Sequence, residues 1–446
     1  MKLLHCFVVV LIGLLPEVGA AADNLLTLYR EALSANSSYL AVRAGVDADQ
    51  ENQNIALGQL LPSLSVSGNY GRSTADRKIG DAPGESFNYD NYSYSLNLRQ
   101  PIYRKYNFAL YQQAKAQGEA ADARLNQAGN ELLVRLTSAY LEALFADDQL
   151  RLLEAQKAAT RAQLAAAQKG IVAGNGTRID LDEAQSRFDM IEAQEIELGN
   201  MQQHTRRVLG VLVNREVMEL AKLDLNRFNL LPPLPRDVSA WIDIVEASNA
   251  EYQGILAQRK AAEQEVEKAV AGHYPTLDLV ANTGKSGNDN LSTLNRFGNT
   301  EYDTTSYGVQ LTVPLFAGGQ VSATSRQARA KLEQLTQQTE EMRRNLSVQT
   351  RREYDNIIQG IARIRALERA EISGLQTVVS AKKGVEAGVR STLDVLQVEQ
   401  QYFTVLRDLF QARYSYLIAG IKLKALAGTL AESDMARISA QFKGAI

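Results

Sequence analysis

Two short turns hold the residues whose types and spacing could do chemistry: Ala173–Asp180 (AGNGTRID) and Ala387–Asp394 (AGVRSTLD). Each places a glycine, Gly174 or Gly388, where a helix C-terminus wants positive φ, and a hydroxyl, Thr177 or Ser391, where the next helix wants an N-cap. Each ends on an acid, Asp180 or Asp394, which a helix N-terminus favours. The run Asp180, Asp182, Glu183 offers oxygen ligands to a hard cation, but a solvated helix start has the same composition and is the simpler reading. The tools of catalysis are sparse. His204 and His273 lie far apart, His5 and the single Cys6 fall in the first dozen residues, and no Gly-rich phosphate loop, nucleophile elbow or HExxH spacing is present. The loop 287–305 lacks EF-hand spacing. No enzyme, cofactor or metal site is expected.

The elements that position these turns begin with an address. Lys2 precedes an apolar run over Leu3–Leu15, and small residues follow at 18–22 (VGAAA). This predicts a signal peptide over 1–22, cleaved after Ala22, with Ala20 as the second choice. Cys6 leaves with it, so the mature chain has no thiol and no lipidation site. A net charge of -3 over 446 residues argues against the basic face of a nucleic-acid binder. No later run reaches the ~18 apolar residues of a membrane helix, so any entry into a membrane must be made by strands.

The chain is written twice. Asn36, Tyr39, Pro62, Asn69, Gly71, Tyr94, Leu98 and Pro101 recur 213 positions later as Asn249, Tyr252, Pro275, Asn282, Gly284, Tyr307, Leu311 and Pro314. One position further on, Tyr140, Gly170, Gly174 and Asp180 are answered by Tyr354, Gly384, Gly388 and Asp394. The expected units are 23–229 and 238–446, joined by the proline-rich, equatorial linker 230–237 (LLPPLPRD).

Each unit predicts one strand hairpin, 62–101 and 275–314, entered and left through Pro62, Pro101, Pro275 and Pro314. Leu64, Val66 and Tyr70 alternate with Ser63, Ser65, Ser67 and Asn69; Tyr94, Leu96 and Leu98 alternate with Ser93, Ser95 and Asn97. Runs of about ten residues suit tilted membrane strands. Tyrosines near their ends and long polar connectors, Ser73–Asn91 and Gly287–Thr305, favour an outer-membrane sheet over a soluble hairpin. Four strands cannot close and eight leave a filled interior, so three chains and twelve strands are expected.

Helices supply the rest. Residues 104–169 and 320–383 lack proline and predict rods of roughly 100 Å, and the shorter helices 25–60, 177–212, 238–272 and 392–426 pair end to end to the same length. Val395, Tyr402, Leu409, Tyr416 and Leu423 form one seam of the last helix, and Leu396, Phe403, Phe410 and Leu417 a second beside it. Two seams let a helix touch two neighbours, as a helical barrel requires. The fold class is mainly α with a small β part: a trimeric 12-stranded transmembrane β-barrel continued by a periplasmic α-helical barrel.

With these features, the sequence resembles the TolC family of outer-membrane channel-tunnels, most closely at Asn24–Asn36, Pro275–Gly284, Val313–Gln320, Gly388–Leu396 and Leu426–Leu430. The resemblance implies a homotrimer in outer-membrane lipid of a Gram-negative bacterium. It also implies a periplasmic adaptor and an inner-membrane pump (ABC or RND type) as partners, with drugs, small molecules or secreted proteins as cargo. By position, Asp180 and Arg390 match a charged link of the family's periplasmic gate, and Asp394 one of two ring acids. Gly174, Thr177, Gly388 and Ser391 then sit in the tips facing the adaptor. Gln397 stands in place of the second ring acid and Val385 in place of a gate tyrosine, which implies a looser gate. The competing expectation is a periplasmic coiled-coil adaptor or scaffold without a pore.

Overall fold

The computed structural model describes residues 23–442 apart from 79, 175 and 291–299. The expected signal peptide and the tip of the second connector lie outside these. In chain order the elements are α1 (Leu25–Ala35), α2 (Ser37–Gly58), β1 (Ser63–Arg77), β2 (Glu85–Tyr103), α3 (Lys105–Val172), α4 (Arg178–Val213), α5 (Val238–Ser248), α6 (Ala250–Val270), β3 (Thr276–Asn290), β4 (Thr300–Thr312), α7 (Gln320–Glu386), α8 (Thr392–Leu426) and α9 (Glu432–Ser439).

The two long rods are α3 and α7, of 68 and 67 residues, each roughly 100 Å at 1.5 Å per residue. The helices expected over 25–60 and 238–272 are each broken once, at Asn36 and Asn249, and the reason is chemical. Asn36 accepts from the Tyr39 amide at 3.0 Å, and its own Nδ2 donates to the Leu212 carbonyl at 3.2 Å. Asn249 repeats this with Tyr252 at 2.9 Å and Leu426 at 2.8 Å. One side chain thus starts a new helix and ties it to the carbonyl end of the returning one. This explains why Asn36 and Tyr39 are among the duplicated pairs.

The core gathers at mid-height. Tyr140 is fully buried, edge-on to Phe442, with its hydroxyl 3.1 Å from the Ala221 carbonyl. Around it pack Leu132, Leu136, Leu144 and Leu209, each burial contributing about 1.5–3 kcal/mol. The linker 230–237 folds onto the same level. The Leu231 amide donates to the Tyr416 hydroxyl at 2.9 Å, Trp241 Nε1 donates to the Pro235 carbonyl at 2.8 Å, and the Tyr354 hydroxyl reaches the Arg236 carbonyl.

The sheet is antiparallel in the order β1-β2-β3-β4. Its strands are longer than the ten residues expected. β1 and β2 stay paired out to Arg77↔Glu85, so the connector shrinks to 78–84. The Ser, Thr, Asp and Asn that suggested a loop continue the ladder instead, because a polar two-stranded ribbon and a polar loop share one composition. β2 also runs past Pro101 to Tyr103, with a register irregularity there. That is where a residue lacking an N–H is tolerated inside a sheet. Pro62 and Pro275 immediately precede β1 and β3, while Pro314 lies just beyond β4.

Within the chain α3 packs against α2, α6, α4 and α8, whereas α7 packs against α6, α8 and α5; no packed seam joins α7 to α2. Duplication makes α7/α2 the counterpart of α3/α6. On α6, Gly254, Ala257 and Ala261 are buried, and a Cβ on Gly254 would stand 3.5 Å from Ala123 Cβ. Their counterparts on α2, Ala41, Ala44 and Ala48, are exposed.

Candidate gate turns and channel wall

Both turns are built alike. Gly174 has φ 76° and Gly388 φ 71°, the left-handed conformation only glycine takes at little cost. Their amides donate to Ile171 and Val385 carbonyls at 3.0 and 2.9 Å. Thr177 Oγ1 accepts from the Asp180 amide at 3.1 Å, while Asp180 Oδ2 accepts from the Thr177 amide at 3.3 Å and hydroxyl at 2.5 Å. Ser391 and Asp394 repeat this reciprocal capping box at 3.2 and 3.0 Å. The Ser391 amide, then its hydroxyl, and Arg390 at longer range hold the Asp394 carboxyl below the usual carboxylate range.

The structure thus brings Thr177 to Asp180 and Ser391 to Asp394, but pairs neither acid with Arg390 inside the chain. Arg390 is exposed and forms no ion pair among the described residues. Its stem lies along α7, where a Cβ on Gly384 would meet Arg390 Cγ at 3.1 Å. Gln397 is exposed on the first turns of α8. Arg178 and Asp182 pair along α4 at 3.0 Å. Among the described residues no group of three or more His, Cys, Asp or Glu could hold a metal.

Above the turns lies a cluster that sequence reasoning missed. Glu399 on α8, only 6% exposed, accepts from Lys382 of α7 at 2.7 Å and from Gln163 Nε2 of α3 at 3.2 Å. Beside it Arg187 of α4 donates to Gln400 of α8 at 3.0 Å and pairs with Glu183 at 3.2 Å. These contacts tie the α3/α4 hairpin to the α7/α8 hairpin. A lone Glu between apolar heptad positions (Leu396, Phe403) was the available signal.

At the other end the sheet separates two chemistries. One face carries Leu64, Val66, Tyr94, Leu96, Leu279, Tyr307, Val309 and Leu311, all exposed in the chain, with Val66 at 77% and Tyr307 at 87%. The register places Ser63, Ser65, Ser67, Ser95, Asn97, Asn282 and Ser306 on the opposite face. There Ser67 and Ser95 share a hydrogen bond at 2.9 Å, and Asn282 bonds Asn97. Uncovered apolar side chains across four strands are what lipid solvates, and a wall of small hydroxyls and amides is what water wets. The sheet therefore has a lipid face and a water face, and two unpaired edges, β1 and β4.

Comparison with known proteins matches this architecture at every level. The family profile described as "Outer membrane efflux protein" matches twice, over residues 28–215 and 241–429, once per repeat. Over 434 residues, spanning 96% of this chain and 89% of the relative, the sequence is 36% identical to the alkaline protease secretion protein AprF of Pseudomonas aeruginosa. It is 34% identical to the proteases secretion protein PrtF of Dickeya chrysanthemi, covering 96% and 92% of the two chains. The solved outer-membrane channel OprN superposes with a TM-score of 0.79 at 16% identity, over 91% of this chain and 90% of that one, and so shares its fold. With its twofold-matched repeats, its two-faced sheet and its paired helical rods, the chain belongs to the outer membrane efflux protein family, the TolC-like channels of the outer membrane.

Proposed function

We propose that three copies of the chain close into one duct, twelve strands in the outer membrane above twelve helical columns in the periplasm, serving as the passive exit of a protein-secretion system. One observation carries the ring: the seams that the duplication implies for α7 with α2, α7 with α4 and β4 with β1 are left open inside the chain, for a neighbour to supply. In lipid, the free edges of β1 and β4 have no water to satisfy them, and β4 meeting β1 of the next chain would repeat the β2–β3 pairing. The exposed Ala41, Ala44 and Ala48 then receive α7 as Gly254, Ala257 and Ala261 receive α3. Arg326 and Lys331 of α7 stand level with Glu51 and Asp47 of α2, so the charges are complementary. The small, polar water face suits three chains and an open lumen better than two and a filled one. Family membership removes the case for a poreless adaptor.

Both relatives above 30% identity are named for protease secretion, which favours unfolded polypeptide as cargo and an ABC-type pump over an RND one. The tips at Gly174, Thr177, Gly388 and Ser391 would face the periplasmic adaptor. Asp180 and Asp394 are already held by their own caps, and Arg390 is left to reach a neighbouring chain, the disposition a gate link between chains needs. Three Asp394 carboxylates around the axis would attract cations, with Gln397 adding no charge to a second ring.

Deleting the gene and assaying secreted proteins and drug susceptibility in parallel tests the cargo. The expected result is loss of a secreted protein at unchanged drug tolerance. Drug hypersensitivity with secretion intact would reassign the duct to small-molecule efflux.

A further inference from the structure

The water face of the sheet is almost free of charge. Along 63–75, 89–101, 278–288 and 302–312, the side chains on that face are Ser, Thr, Asn, Gln, Gly, Ala, Val, Pro and Tyr, with two exceptions, Arg99 and Asp278. These two meet at the periplasmic end of β2 and β3, and Arg104, the residue capping α3, joins them. Arg104 grips both carboxylate oxygens of Asp278, Nε at 2.7 Å from Oδ1 and Nη2 at 2.6 Å from Oδ2. Arg99 shares Oδ2, with Nη2 at 2.7 Å and Nε at 3.2 Å. The Asp278 side chain is 2% exposed, whereas that of Arg99 remains 50% exposed. One carboxylate between two permanent cations leaves one positive charge, presented by Arg99 in a fixed orientation.

We propose that Arg99 is an anion-binding point on the inner wall at the periplasmic mouth of the barrel, taking the carboxylates of an extended acidic polypeptide, with Arg104 and Asp278 as positioning residues. This rests on the trimeric duct. β2 is an inner strand, flanked on both sides by strands of its own chain, so no neighbouring subunit covers Arg99. The duplication places Ser65, Thr312 and Ala317 at the positions equivalent to Asp278, Arg99 and Arg104. The seams between chains are therefore uncharged at this height, and the ring has three separate cationic points on an otherwise neutral, hydroxyl-lined wall. Such a wall holds a passing chain weakly everywhere else, and an exposed charge pair in water holds it briefly.

The test uses the purified full-length channel in planar bilayers, with an oligoglutamate peptide added as the blocker and oligoglutamine as the control. Block is normalised to each variant's own current. Oligoglutamate should block the wild type in a manner that weakens steeply from 0.1 to 1 M KCl, and oligoglutamine should not. An exposed contact of this kind contributes up to about fivefold in affinity, so Arg99→Gln should weaken block by up to about fivefold if a peptide touches one of the three points and up to about 25-fold if it touches two. Arg99→Lys should retain most of it. Block that is insensitive to salt, or equal in wild type and Arg99→Gln, overturns the proposal. Inserted protein that carries no current even when Arg390→Ala or Glu399→Ala releases the turns would instead refute the duct.

Discussion

Replacing Glu399 by alanine removes a buried acid that joins the two helical hairpins of the chain close to their turns. Its contacts are the 3.2 Å bond from Gln163 across the α3–α8 seam and the 2.7 Å ion pair to Lys382 within the α7/α8 hairpin. The Lys382 pair, half exposed and inside the α7/α8 hairpin, survives a parting of the hairpins, so only the Gln163 bond opposes it, by about 1 kcal/mol per chain. If opening requires α7/α8 to part from α3/α4 in all three chains, the loss is about 3 kcal/mol, roughly 150-fold in the ratio of open to closed ducts. Resting open probability in planar bilayers should rise accordingly, at unchanged helix content by circular dichroism. Glu399→Gln, which can still accept from Gln163, should give an intermediate value, and Gln163→Leu combined with Glu399→Ala should add little beyond the single change. An open probability within twofold of wild type for Glu399→Ala would refute the latch.

Arg390→Ala should also raise resting conductance, because no contact inside the chain substitutes for a link to a neighbour; unchanged conductance would remove Arg390 from the gate. Asn36→Ala and Asn249→Ala should each lose a helix cap and a tie to the returning helix. Each should cost about 1–2 kcal/mol in thermal unfolding, and a large difference between the two would contradict the equivalence of the repeats. Arg343, then Arg344, hold the Glu340 carboxyl down to about 2. A depressed carboxyl stabilises the fold above its ordinary value near 4.5 and loses that contribution as pH falls towards about 2. The gap in melting temperature between wild type and Glu340→Gln should therefore be constant above pH 5 and vanish by about pH 2; a gap that persists there would show that Glu340 acts otherwise.

Much of the architecture is readable from the chain because the duplication repeats the residues that punctuate it. Pro62 and Pro275 start strands, Gly174 and Gly388 end rods, and Thr177 and Ser391 open the return helices as their spacing implies. The breaks at Asn36 and Asn249 were hidden, since asparagine among helix formers becomes a cap only when a distant carbonyl, Leu212 or Leu426, claims its amide. The outward extension of β1 and β2 was hidden by composition, because Thr74 and Asn88 look the same in a loop and in a ladder. Glu399 and Asp278 were hidden by context. A single acid on an amphipathic element reads as solvated until the partners that bury it, Lys382 and Gln163 or Arg104 and Arg99, are brought in from far along the chain.

Cys6 is the single cysteine of the sequence, so an introduced cysteine pair allows a direct test of ring closure. Asn97 and Asn282 face each other across β2 and β3, and their counterparts across a β4–β1 seam are Gln310 and Asn69 of the next chain. Facing antiparallel residues lie close enough for a disulfide. Full-length protein carrying both Asn69→Cys and Gln310→Cys should oxidise in the membrane to covalent trimers on denaturing gels and revert to monomers with reductant, while either single variant stays monomeric. Double-cysteine protein that remains monomeric after oxidation, although inserted in the outer membrane, would contradict the closed ring.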